Sequence, residues 1–273
     1  MPYKYETAVK IRNRVNEVGI YETSLEFGIS ASSVKRALRT AKARDDLDNP
    51  MDNCVINGGR KVLCVGDLHC PFDHDEYVHF LIDIYKKHNC DTVVFIGDVI
   101  DNHYASYHET DPDGMGGRDQ LDLAVQRLEP YYMAFPDAYV TIGNHDRLVM
   151  RKAMSGNVPK RWIKSYCEVL ETPRWIFTDF VDIDNVQYIH GENGTAKTRS
   201  LNEMSSVVQG HRHTEMYTHW TFGKNRSCFG MQVGCGIDGS SYAMGYCKYG
   251  RKPAIGCGVI INGVTAFNEV LPL

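Results

Sequence analysis

The chain has 273 residues, 43% of them apolar, which suits one large domain, alone or with a small appendage, around a sizeable core. No apolar run approaches the ~20 residues of a membrane span, and the opening MPYKYETAVK lacks the apolar stretch of a secretion signal, so a cytoplasmic address is expected. The formal charge of −4 hides an asymmetry, because residues 1–44 hold nine Lys/Arg against four Glu, a net of +5, and residues 45–273 carry a net of −9. Nine scattered cysteines, odd in number and never at CxxC spacing, exclude a zinc ribbon or redox pair and read as reduced, mostly buried thiols.

In Tyr5–Val18 the apolar residues Ala8, Ile11, Val15 and Val18 recur at helical spacing, and Gly19 ends that helix. A second short helix over Tyr21–Phe27 stops at Gly28, and Ser30 is placed to cap a third, in which Val34, Leu38 and Ala41 form one stripe. The stretch ETSLEFGISASSVKRALR resembles a helix-turn-helix, and on its third helix Ser32, Ser33, Arg36 and Arg39 face outward, where hydroxyls and guanidinium groups can meet phosphates and base edges. DNA binding through residues 1–44 is the functional reading, favoured by the charge of +5; a small helical bundle for packing or oligomerisation is the structural alternative. Residues 45–59, acidic and rich in Asn, Pro and Gly without periodicity, read as a linker.

From Arg60 onwards, apolar strands alternate with amphipathic helices: KVLCV (61–65), a helix over about 75–89, TVVFI (92–96), a helix over about 118–133, and AYVTI (138–142). A βαβαβ series implies a largely parallel sheet with polar loops at the C-terminal ends of its strands, where open α/β sheets place ligands. The second half changes character, with VDIDNVQYIH, SSVVQGHRH, MYTHWTF, SCFGMQV, AIGCGVII and VTAF reading as strands joined by turns. A second sheet facing the first, with helices outside, gives an α/β sandwich for residues 60–273.

The strand ends collect the chemistry. Asp67 and His69 share one strand end at i, i+2 spacing, His211 and His213 repeat that spacing, Asp98 and Asn144 each follow a glycine after a strand, and His190 closes VQYI. Seven oxygen or nitrogen donors at separate strand ends point to metal. With imidazole, carboxylate and one amide oxygen but no thiolate, the set suits divalent transition ions such as Mn, Fe, Zn, Ni or Co. A bridging carboxylate has the two oxygens that a pair of ions would share.

Five motifs, D-x-H (Asp67, His69), GDxxD (97–101), GNHD (143–146), HG (190–191) and GHxH (210–213), resemble those of the calcineurin-like metallophosphoesterase superfamily over roughly residues 60–215. The resemblance implies a four-layer αββα sandwich with a dinuclear centre, in which Asp67, His69, Asp98 and His213 hold one ion, Asp98, Asn144, His190 and His211 hold the other, and Asp98 bridges. It further implies a bridging hydroxide as nucleophile and His145 as general acid to the leaving alkoxide, with Asp146 or Asp101 orienting the imidazole. The family's Ser/Thr protein phosphatases carry Arg after GDxxD and Glu in GNHE, and Asn102 and Asp146 stand at those positions here. Asp101 stands where the family's DNA-repair nucleases usually have His.

Two loops are candidates for substrate selection: residues 102–119, with His103, His108 and Arg118, and residues 234–252, where Tyr242, Tyr246 and Tyr249 interleave with Lys248, Arg251 and Lys252. The expected function is a metal-dependent phosphodiesterase or nuclease acting on nucleic acid. A phosphomonoesterase or nucleotide hydrolase is the nearest variant, and a DNA-binding protein with a regulatory metal domain is the alternative of another class.

Overall fold

The computed structural model of the protein describes residues 5–35, 37, 53–107, 113–240 and 252–272. The chain divides into two compact units, Met1–Met51 and Asp52–Leu273. No helix among the described residues is long and apolar enough to cross a membrane.

In the first unit, α1 (Tyr5–Glu26) is two helices joined at Gly19, whose φ of 86° and ψ of 171° leave helical geometry at a residue with no side chain to oppose it. Arg14 reaches across the break to Glu26 at 2.7 Å. Beyond Gly28, the Ser30 hydroxyl accepts the Ser33 N–H at 3.2 Å and opens a further helical segment at position 31. Ile11, Val34 and Ala37 are buried together, with Val15, Ile20 and Ile29 packed around them. Ser32 is exposed and Ser33 half-buried. Arg36, Leu38, Arg39 and Ala41 lie outside the described residues, as does linker segment 45–52.

The second unit is a sandwich of two six-stranded sheets. The first sheet runs β12 (Thr265–Val270), β11 (Gly256–Ile261), β2 (Lys61–Val65), β3 (Thr92–Phe95), β4 (Tyr139–Thr141), β5 (Ile176–Thr178), and is parallel from β2 to β5. The second runs β1 (Asn53–Ile56), β6 (Phe180–Ile183), β7 (Val186–Ile189), β8 (Ser206–Gln209), β10 (Ser227–Val233), β9 (Met216–Phe222), with β7, β8 and β10 parallel.

Strand alternation builds the layers. On β2, Val62 and Cys64 point into the space between the sheets, while Leu63 and Val65 point the other way, onto helices α2 (Tyr77–Lys87) and α3 (Gly117–Ala134). Val94 and Ile96 face inward beside Val93 and Phe95 facing out, and on β10 Phe229, Met231 and Val233 close the same inner layer. Three short helices follow in chain order, α4 (Leu148–Ser155), α5 (Tyr166–Val169) and α6 (Ala196–Glu203). α6 lies on the outer face of the second sheet, where its Ala196 carbonyl would clash with any side chain at Gly230. The layering is the αββα arrangement expected from the motifs.

Two local readings change. Residues 53–56 are not linker: they form edge strand β1, parallel to β6 from Asn53↔Phe180 to Ile56↔Ile183. An edge strand needs only one apolar face, and Ile56 supplies it against the inter-sheet core. The Asp184 carboxylate then accepts N–H bonds from Gly58, Gly59 and Arg60 at 2.9, 3.1 and 2.5 Å and so fixes the turn into β2. The stretch VDIDNVQYIH is a hairpin, not one strand, because Asp184 and Asn185, at φ 51° and 63°, make the tight turn that such pairs favour.

Phe229 is fully buried in the inter-sheet layer. Phe229→Ala is expected to cost about 3–5 kcal/mol of stability, read as a lower denaturation midpoint with an unchanged slope.

Candidate metal centre

Every donor named from the sequence sits on a loop that leaves the C-terminal end of a strand. Asp67 and His69 follow β2, Asp98 follows β3, Asn144 and His145 follow β4, His190 follows β7, and His211 and His213 follow β8. Since these strand ends lie on the same edge of the sandwich, residues up to 146 positions apart meet, as in the 2.9 Å approach of His213 Nε2 to Asp67 Oδ2.

Three overlapping groups result. Asp67, His69, Asp98 and His213 each offer an atom within 4.8 Å of the others, as do Asp98, His190 and His211, and as do His69, Asp101 and His145. Asp98 belongs to the first two and His69 to the first and third. Asn144 joins the second group through Oδ1, 2.9 Å from His190 Nε2.

The loops approach one another too closely for side chains at their glycines. A Cβ on Gly143 would run into Asp98 Oδ1, and one on Gly210 into Asp67 Oδ1. Both glycines of GNHD and GHxH are therefore required by space beside the carboxylates. His69, Asp98 and His211 have φ of 52°, 47° and 68°, left-handed backbone that turns each side chain back toward the centre.

Hydrogen bonds fix the carboxylates from behind. Asp67 accepts the His211 N–H at 2.9 Å, and Asp98 Oδ1 accepts the His145 N–H at 2.7 Å. Asp98 Oδ2 has no hydrogen bond, although it is buried and lies 3.1 Å from His190 Nε2 and 3.6 Å from His69 Nε2, which is also buried without one. Two buried acceptors facing each other without a donor cost stability unless something positive lies between them. A divalent cation satisfies both an imidazole lone pair and a carboxylate oxygen, and this donor set fits one.

The sequence left open which carboxylate orients His145, and the geometry selects Asp101. His145 Nδ1 donates to the Asp101 carbonyl at 2.8 Å with Asp101 Oδ1 at 3.2 Å, and the same Oδ1 lies 2.5 Å from His69 Nδ1. Asp101 thus holds two imidazoles by Nδ1 and leaves each Nε2 forward. Asp146 does something else: its carboxylate accepts the backbone N–H groups of Asp98 and Gly143, both at 2.8 Å, and of Ile100 at 3.3 Å. It ties the β3 and β4 loops together instead of steering His145.

The electrostatics follow from burial and crowding. Burial opposes the charge on His190, but the Asp98 carboxylate overrides it and pushes the pKa up to about 10. His145 behaves alike: against burial, the Asp101 hydrogen bond and the Asp98 charge raise it to about 9. For Asp98 burial acts upward, yet the neighbouring His190 holds it well below the usual carboxylate range. Asp146, fully buried and next to the Asp98 charge, is raised to about 7.

Some contributors carried no motif. Gln209 Nε2 donates to the Gly191 carbonyl at 3.2 Å, and Gln232 Nε2 donates to the Gly210 carbonyl, so two amides brace the HG and GHxH loops. Gln209 ends β8 and Gln232 is the next-to-last residue of β10, polar positions that follow the apolar runs in SVVQ and SCFGMQV. Asn102 Nδ2 donates to the His145 carbonyl at 3.0 Å. In the candidate substrate loops, Arg118 is exposed and faces Asp122 at 3.6 Å, and Lys252 is exposed. His108, Tyr242, Tyr246, Lys248, Tyr249 and Arg251 lie outside the described residues.

Removing the shared carboxylate tests the arrangement. Asp98→Asn is expected to lower bound transition metal by at least half relative to the native chain, measured by elemental analysis after dialysis. Because a ligating imidazole must be neutral, uptake expels the His190 proton, so affinity is expected to rise with pH across the neutral range, about tenfold per unit for each proton released. Calorimetry in buffers of different ionisation enthalpy reads that release directly.

Comparison with known proteins agrees with this geometry. The family described as Calcineurin-like phosphoesterase matches residues 60–238, more than half of the chain. Among solved structures, the E. coli phosphoesterase YfcE is 14% identical, covering 76% of this chain and 98% of its own, with a TM-score of 0.37. Vacuolar Protein Sorting 29 from Cryptosporidium parvum is 13% identical, covering 78% and 99%, at a TM-score of 0.37. TT1561 of Thermus thermophilus is 10% identical, covering 78% and 99%, at 0.35. Likeness at that level carries no weight for substrate or partner, and no curated protein matches the sequence. The family match over residues 60–238, set on a sandwich whose strand ends gather the Asp/His cluster, places this chain in the calcineurin-like phosphoesterase family of metal-dependent phosphoester hydrolases.

Proposed function

We propose that the protein is a dinuclear metal-dependent phosphodiesterase acting on nucleic acid. The observation that carries the dinuclear reading is Asp98, a buried carboxylate common to two donor groups with one oxygen lacking a hydrogen bond. Asp67, His69, Asp98 and His213 would hold one ion and Asp98, Asn144, His190 and His211 the other, with manganese the first metal to supply. Two divalent ions in such a site polarise phosphoryl oxygens and acidify water.

The chain's own residues supply the rest. Asp67 and Asp98 bring two negative charges against four positive ones, so the centre attracts a phosphodiester despite the acidic domain around it. His145 is fixed through Nδ1 by Asp101 and keeps Nε2 available, and the Asp101 hydrogen bond favours its protonated form. Proton delivery to a leaving alkoxide needs that position and that protonation state. Asp101 maintains both, and Asp146 keeps the turn that carries His145 in register with Asp98.

The nucleic-acid part rests on residues 1–44. Their net charge of +5, the break at Gly19, the turn at Gly28 and the Ser30 cap support a helix-turn-helix that would direct the enzyme to DNA through Ser32, Ser33, Arg36 and Arg39.

With manganese supplied, the full chain is expected to hydrolyse bis-p-nitrophenyl phosphate faster than the monoester. His145→Ala is expected to lower the diester rate by about 10²–10⁴-fold while leaving bound metal unchanged. Faster monoester turnover would favour a phosphomonoesterase or nucleotide hydrolase, and no turnover would favour a DNA-binding protein with a regulatory metal domain. Duplex DNA is expected to shift on a gel with the native chain and to shift less with Arg36→Ala/Arg39→Ala.

A further inference from the structure

The segment that follows the GNHD turn departs from the charge of its surroundings. Residues 147–164, RLVMRKAMSGNVPKRWIK, contain six Lys/Arg and no Asp or Glu, inside a region (45–273) of net charge −9. Arg147 is engaged by Asp179 and Glu192. Arg151, Lys152, Lys160 and Arg161 are exposed and enter no ion pair among the described residues.

Aromatic rings lie among these charges. The Arg151 guanidinium sits 5.1 Å and the Lys152 ammonium 5.5 Å from the centre of the Tyr107 ring, which is itself 55% exposed. Trp162, in the turn Lys160–Trp162, is 82% exposed. A Trp left in water beside unpaired cations is costly for a structural role and suits contact with a flat, anionic ligand.

The segment begins at the metal centre. The Leu148 N–H donates to the His145 carbonyl at 3.1 Å, so α4 grows out of the turn that holds His145. Tyr107 belongs to the chain just beyond Asp101 and Asn102, and its ring under Arg151 and Lys152 joins that loop to α4.

We propose that residues 147–164, together with Tyr107, form the track along which a single-stranded nucleic acid lies as it approaches the metal centre. Arg151, Lys152, Lys160 and Arg161 meet its phosphates and Trp162 stacks on an unpaired base. The proposal rests on the phosphodiesterase reading of the centre. Cations that track a backbone, interleaved with an aromatic platform, are what single strands bind without sequence preference, and a base inside a duplex has no free face for Trp162. Exposed Val149, Met154 and Val158 admit an anionic membrane as the competing partner. Continuity with a phosphoester-cleaving centre favours the nucleic acid.

The test uses the full chain in chelator, titrated with oligothymidylate, and follows tryptophan emission. Trp175 is buried, the only other tryptophan, Trp220, is on β9 of the second sheet, and the first 51 residues have none, so Trp162 is the exposed reporter. Quenching on titration is expected, and Trp162→Phe should abolish it. Lys160→Ala/Arg161→Ala should weaken binding at least tenfold and flatten the dependence of log Kd on log salt by about 1.4. Both variants should hydrolyse bis-p-nitrophenyl phosphate at the native rate. Absence of quenching overturns the proposal, as does a blue shift on phosphatidylserine vesicles with no response to oligothymidylate. A variant rate on the small diester well below native also overturns it. Quenching by a native chain that hydrolyses no diester would count against the reading of the centre and leave the track standing.

Discussion

Asp98 is a carboxylate almost wholly withdrawn from water, with one oxygen on the His145 N–H and the other facing His69 and His190 without a hydrogen bond. Burying such a group costs several kcal/mol unless opposite charge accompanies it. In the metal-free chain the His190 imidazolium plays that part, which is why its proton is held so tightly. A divalent ion does so more completely, because it satisfies the oxygen and the imidazole lone pairs together. The position of every neighbouring loop follows from keeping this one carboxylate in place.

The scaffold meets that demand with backbone as much as with side chains. Asp146 gathers N–H groups from the β3 and β4 loops, the His211 N–H holds Asp67, and the buried amides of Gln209 and Gln232 secure the loops of the second sheet. Two sheets are needed because neither alone carries enough donors: the first supplies Asp67, His69, Asp98 and Asn144, and the second supplies His190, His211 and His213. The apolar layer of Val62, Val94, Phe229 and Met231 is therefore part of the site, since it fixes the distance between the two halves.

Much of this was legible in the sequence because strands with both faces buried read as apolar runs, and a polar residue directly after such a run is conspicuous. KVLCV followed by GDLH is one case and SSVVQ followed by GHRH is another. Three kinds of feature stayed hidden. The three-residue edge strand β5 and the strand β1 are too short or too exposed to show periodicity, and β1 took the composition of a linker. The short helices α4, α5 and α6 have eight residues at most, so their patterns are indistinct. The division of labour between Asp101 and Asp146 depends on which way two loops fold, and the spacing within each short motif does not encode that.

His69, Asp98 and His211 occupy backbone angles that a side-chain-bearing residue adopts at a cost of order 1–3 kcal/mol, although His and Asp tolerate the region better than most. Glycine would relax all three and contribute no donor. The resting fold therefore carries tension at the very places where it grips metal, and the surrounding layers must hold a surplus of cohesion to sustain it. Improving heat resistance by easing these three turns would work against the grip itself, so sturdiness in this molecule is better sought in its inter-sheet filling than along its catalytic edge.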